Sequence, residues 1–62
     1  MKLRQNMIEC RGEKTRTEIA QKLGITPQML GAIERGERTP SLNLAKRIAD
    51  LYKKSIEFIF FK

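Results

Sequence analysis

The chain has 62 residues, 40% hydrophobic and 32% charged, with 13 Lys and Arg against seven Asp and Glu and a net charge of +6. That length leaves room for one small domain whose core needs tight helix packing or a second copy, and the basic surplus favours a polyanion, nucleic acid before an acidic membrane. One cysteine, no histidine, no signal-peptide pattern and no apolar run longer than FIFF exclude an internal disulfide, the usual metal sites, an imidazole base and a membrane span, so we expect a cytoplasmic protein without metal or cofactor.

Leu3, Met7 and Cys10 recur at i, i+4 and i+7 with Ile8 beside them, which predicts a first helix across MKLRQNMIECR, ended by Gly12. Cys10 then reads as a small buried apolar residue. Thr15 and Glu18 stand at the spacing at which a hydroxyl and a carboxylate satisfy each other's free amides. A second helix is therefore expected from about Arg16 to Leu23, with Ile19, Ala20 and Leu23 inward and Gly24 at its end. Thr26 caps and Pro27 opens a third helix that runs roughly to Arg35, before Gly36. Pro40 pushes Thr39 out of the helical region. Ser41 then caps a fourth helix whose inward face is Leu44, Ala45, Ile48, Leu51 and Tyr52, with Asn43, Lys46, Arg47 and Asp50 in water. Ser55 opens a short last helix, IEFIFF, although the same residues alternate enough to be extended. The fold class is all-α.

The stretch LGITPQM stops one helix and restarts another with no room for a loop, so it fixes the angle between helices two and three. Ala20, Gly24, Leu30 and Ile33 have the spacing A-x3-G-x5-L-x2-I. Ala20 is small where the helices cross, Gly24 permits the reversal, and Leu30 with Ile33 anchors the third helix to the body. This is a helix-turn-helix arrangement, in which the second helix enters a DNA major groove with its N-terminal residues nearest the bases.

From TRTEIAQKLG through IERG and PS to SIEFIFF, the chain resembles the Xre-like family of small bacterial and phage regulators, the Cro and phage-repressor type. The likeness covers most of the sequence. It implies a compact five-helix, lambda-repressor-like domain, commonly a homodimer, that binds operator DNA and regulates transcription. It also implies that Glu34 in IERG pairs with an arginine from the end of helix one, for which Arg11 is the candidate, and that Arg16 stands where relatives often place a phosphate-contacting Gln.

If Leu30 and Ile33 face the core, then Gln28, Gly31, Ala32 and Arg35 lie opposite, with Pro27 at the leading edge. Gln28 suits adenine, Ala32 suits a thymine methyl, and Gly31 allows close approach, so Pro27, Gln28, Gly31 and Ala32 are the candidate base contacts. For Gln28 a solvated surface amide is the alternative. Arg16, Thr26, Arg35, Arg38, Thr39 and Ser41 are the candidate phosphate contacts, helped by the free amides at the start of helix four. Lys46, Arg47, Lys53 and Lys54 read as solvent charges. Ile56, Ile59 and Phe60 suit the core, whereas Phe58 and Phe61 fall on another side and are candidates for a dimer interface, or for burial of one of them against helix one. The expected function is a DNA-binding transcriptional regulator, of repressor type, acting as a homodimer with no small-molecule ligand. A protein-interaction module on the same fold is the alternative. An enzyme is disfavoured, because no nucleophile and base can be paired.

Overall fold

The computed structural model describes residues 3–61. Five helices follow one another, α1 (Gln5–Arg11), α2 (Arg16–Leu23), α3 (Pro27–Glu34), α4 (Leu42–Tyr52) and α5 (Ile56–Phe60), and no strand occurs among the described residues. The helix starts follow hydroxyl chemistry. Thr15 Oγ1 accepts from the Glu18 N–H at 3.1 Å while the Glu18 carboxylate accepts from the Thr15 N–H at 3.1 Å, a reciprocal cap. Thr26, Ser41 and Ser55 accept in the same way from the N–H groups of Met29, Leu44 and Phe58. Losing one such cap costs about 1 kcal/mol.

α1 departs from the sequence pattern. It begins at Gln5, because Arg4 is held by the far end of α3 instead of entering the helix. The Arg4 N–H donates to the Glu34 carbonyl at 2.8 Å, and Arg4 Nη1 donates to the Ile33 carbonyl at 2.6 Å. Leu3 is consequently outside the helix and exposed, while Met1 and Lys2 lie outside the described residues. Cys10, expected to be buried, is only half-buried.

Between α2 and α3 the chain reverses through Gly24, at φ +74°. Its N–H donates to Gln21 O at 3.3 Å and the Ile25 N–H to Ala20 O at 3.0 Å. This pair of bonds closes a helix around a left-handed residue, a backbone state that favours Gly. Arg47 is exposed, as expected, and also lies across the turn: its Nη2 donates to the Leu23 carbonyl at 2.6 Å and ties α4 to the end of α2. α3 closes similarly at Gly36, with Arg35 as its cap residue, one position earlier than the sequence pattern placed its end.

The core gathers Met7, Ile19, Ala20, Leu23, Leu30, Ile33, Leu44, Ile48, Ala49 and Ile59. The inward stripes of α2 and α3 are those the spacing predicts; on α4 Ala49 is buried while Leu51 and Tyr52 are half-buried, and on α5 Ile59 is buried while Ile56 and Phe60 are half-buried. Burying a Leu or Ile side chain is worth about 1.5–3 kcal/mol over leaving it exposed, so Leu30 and Ile33 at 0% exposure hold α3 firmly on the body. The tail is helical, with Ile59 inward. Asn6 Nδ2 donates to the Phe58 carbonyl at 2.8 Å, joining α5 to α1. No helix among the described residues is long and apolar enough to cross a membrane.

Candidate nucleic-acid interface

α3 has two unlike faces. Leu30 and Ile33 are fully buried, whereas Pro27 and Gln28 are exposed and Ala32 is half-buried. Thr26 caps the helix with its oxygen, so its hydroxyl hydrogen stays available to an acceptor. A shallow depression on the outer side is lined by Arg16, Pro27, Gln28, Gly31 and Arg35, so the fold brings five of the candidate DNA-contacting residues together from two helices and a turn.

One wall of this depression, Arg16, belongs to a buried charge cluster. Glu34 has 0% exposure and sits between two arginines: Arg11 Nε and Nη2 donate to its carboxylate at 2.8 and 3.2 Å, and Arg16 Nε donates at 3.1 Å. Arg11 also donates to the Lys14 carbonyl at 2.9 Å. The hydrogen bond to Glu34 holds the Arg11 guanidinium above its ordinary pKa despite lost hydration. Arg11 is mostly covered, while the Arg16 side chain is 45% exposed and keeps a hydrated edge beside the depression. Tyr52 lies close to this cluster. Burial first, and the Glu34 charge second, push its hydroxyl up to about 12, and that hydroxyl is buried with no hydrogen-bond partner among the described residues.

Gly31 is placed differently from what its sequence position suggested. It is buried under two side chains: a Cβ built there would stand 3.0 Å from Arg35 Nη1 and 3.7 Å from Arg16 Nε. The arginines, rather than an open groove, occupy the space a side chain would take. Arg35 is itself engaged, its Nε and Nη2 each donating to the Glu37 carboxylate at 3.2 Å. That contact lowers the Glu37 pKa and raises that of Arg35, so the pair is fully charged at neutral pH.

On the other flank, Arg38 and Thr39 are exposed in the segment that leads to α4. The Arg38 N–H donates to Ala32 O at 3.3 Å and its carbonyl accepts from Arg4 Nη1 at 3.1 Å, so its backbone is fixed to α3 and α1 while its side chain stays in water. Ser41 caps α4 through its oxygen. Away from this face, Phe61 is 75% and Phe58 38% exposed, the latter under Lys54 Nζ, 5.3 Å from its ring centroid.

The contacts made by four residues are not encoded in the sequence pattern. Arg4 and Arg47 fasten α3 and the turn through backbone carbonyls, Arg16 shares Glu34 with Arg11, and Glu37 takes one edge of Arg35. Of these, only Glu37 had a local signal, as a carboxylate two residues from an arginine in ERGER.

A tight αL turn, a buried anchoring face and an outward N-terminal half define α2 and α3 as a helix-turn-helix. Residues 7–59 match the helix-turn-helix family model, and the chain belongs to that family, the Xre/Cro-like group of DNA-binding transcriptional regulators. It is similar to an uncharacterised HTH-type transcriptional regulator of Methanocaldococcus jannaschii, 46% identical over 46 residues that cover 74% of this chain and 70% of that one. A second such regulator, from Methanothermobacter thermautotrophicus, is 47% identical over 47 residues, covering 74% and 68%. A third, from Archaeoglobus fulgidus, is 32% identical over 60 residues, covering 97% and 84%. No solved structure matches the chain.

Proposed function

We propose that the protein binds operator DNA as a homodimer and represses transcription by occupying its site, with α3 in the major groove. The observation that carries this reading is the convergence of Arg16, Pro27, Gln28, Gly31 and Arg35 on one outward depression while the opposite side of α3 is fully buried. Gln28 stands in the first turn, the part of a recognition helix that meets base edges. Pro27 and Ala32 supply apolar contact, and the backbone at Gly31 is approached through the arginines above it.

Phosphates are gripped from both sides. Arg16, held at one edge by Glu34, lies on the α2 side, and Arg38, Thr39 and the hydroxyl of Ser41 lie on the α4 side, with Thr26 at the start of α3. The free amides at the start of α4 add partial positive charge. Exposed Phe61 and Phe58 provide the apolar patch for the second copy, which doubles the base contacts.

Gel-shift titration against random duplex across a salt series tests the reading. Binding must weaken linearly on a log–log plot, and Arg38→Ala, which removes one phosphate contact from each copy, should lower the slope by about two while leaving the melting temperature unchanged. Failure to shift any duplex at low salt would contradict it and favour a protein partner.

A further inference from the structure

Arg35 differs in kind from the other cations around α3. Arg16 and Arg38 flank the helix, whereas Arg35 belongs to its end and runs back along it, over Gly31, into the depression shared with Pro27 and Gln28. Its guanidinium is already half occupied. Glu37 takes the Nε hydrogen and one Nη2 hydrogen, through Oε2 and Oε1 respectively, each at 3.2 Å. A guanidinium carries five N–H donors in a planar fork. The two hydrogens on Nη1 and the outer one on Nη2 therefore remain, and Nη1 has no acceptor among the described residues. The free edge is the tip of the fork.

We propose that Arg35 reads a guanine in the major groove through that tip, Nη1 and Nη2 donating to O6 and N7, with Glu37 as a positioning residue that fixes the plane of the fork. The inference rests on the DNA-binding reading above and assigns Arg35 to a base in place of a phosphate.

Charge and geometry both separate the two assignments. A guanidinium paired one to one with a carboxylate is close to neutral from a distance, whereas Arg16 shares Glu34 with Arg11 and that cluster keeps a net positive charge; a phosphate brought to Arg35 also meets the Glu37 charge, so Arg35 is a poor backbone clamp. A base edge carries no net charge and pays no such repulsion. Guanine presents two adjacent acceptors matched to the fork, while adenine offers a donor beside N7 and cytosine a donor at N4, so the same tip discriminates by hydrogen-bond polarity. A fork already held by Glu37 also loses less freedom on binding than a free arginine.

The same arrangement accounts for Gly31. A glycine inside a helix costs about 1 kcal/mol relative to Ala, and here its missing Cβ is what lets Nη1 lie against the α3 backbone.

Selection of bound sites from a random duplex pool, run with the wild type, Arg35→Ala and Glu37→Gln, tests the proposal. The wild type should demand guanine at one position of each half-site. Arg35→Ala should lose that demand at that position alone, bind its former best site more weakly by on the order of a hundredfold or more, because both half-sites are affected, and keep its salt slope. Glu37→Gln, which frees the fork without removing it, should relax the guanine preference and steepen the salt slope by about two as the released charge of each copy finds a phosphate. Replacing the selected guanine with 7-deazaguanine removes the N7 acceptor and should weaken the wild type but not Arg35→Ala. Equal weakening of all sites by Arg35→Ala, with a slope lowered by about two, would overturn the assignment in favour of phosphate. Wild-type binding with a normal salt slope but no guanine preference would sink this inference and leave the DNA-binding reading standing. No duplex binding at low salt would sink both.

Discussion

Two carboxylates three residues apart, Glu34 and Glu37, each hold an arginine beside Gly31, and they do opposite work because one is buried and the other is not. Glu34 has 0% exposure and joins α1, α2 and α3 through Arg11 and Arg16. Its carboxylate is out of water, and two guanidiniums stand in for its hydration. Glu37 and Arg35 are each about 40% exposed, at 40% and 42%, so solvent already satisfies both and their pairing adds little to stability. The same residue chemistry thus serves architecture where water is excluded and orientation where it is not.

The largest effect expected from breaking this contrast is at Glu34. Glu34→Ala leaves Arg11 mostly covered without its carboxylate and should cost about 3–5 kcal/mol in urea denaturation, a large part of the stability of a domain this small. A loss below about 1 kcal/mol would mean that the cluster is solvated in the folded state.

Tyr52 sharpens the comparison on the buried side. Its hydroxyl titrates at about 12 in the folded chain and near 10 unfolded, so the folded state keeps the proton longer and stability should fall as pH rises from 10 through 12. Because the residue is only half-buried, the loss is screened to about 1 kcal/mol. Tyr52→Phe should abolish that alkaline step and, by removing a buried unpartnered hydroxyl, stabilise the protein by about 1 kcal/mol at pH 7. Parallel stability–pH curves for the two proteins would refute the account of this group.

Gly31→Ala probes the point where both arginines meet. The added Cβ presses on Arg35 Nη1, the end of a flexible side chain, so the helix should gain up to about 1 kcal/mol while base selectivity is degraded. Stability from thermal melting and selectivity from competition binding should therefore move in opposite directions. At the small end, Glu37→Gln should leave the melting temperature unchanged, and a clear drop would place Glu37 in the architecture beside Glu34.

What the sequence carried was whatever is local. Helix starts at Thr15, Thr26, Ser41 and Ser55 were legible because a hydroxyl and the amide it caps lie within three residues, and the turn was legible because Gly24 and Pro27 admit few backbone states. The apolar stripes of α2 and α3 placed Ile19, Leu23, Leu30 and Ile33 in the core for the same reason. Long side chains were not legible. Arg4 reaches Ile33, Arg47 reaches Leu23 and Arg16 reaches Glu34 across the fold, and no periodicity encodes which carbonyl or carboxylate an arginine will find. The late start of α1 goes with one such reach, since Arg4, whose guanidinium bonds the Ile33 carbonyl and whose own N–H bonds Glu34 O, stands outside helical geometry as the N-cap residue. The candidate site was legible as a face but not as a set of contacts. Gly31 looked open because a sequence does not reveal which side chains fold back over a glycine.

The central claim is that the outward side of α3 is the surface that meets DNA. Amide chemical-shift mapping of the labelled protein during titration with its selected duplex tests it most directly. Shifts should concentrate at Arg16, Gln28, Gly31, Ala32, Arg35 and the segment from Arg38 to Ser41, with the interior of α5 unmoved. Perturbation confined to α5 and the start of α1, with Gln28 and Gly31 silent, would contradict it.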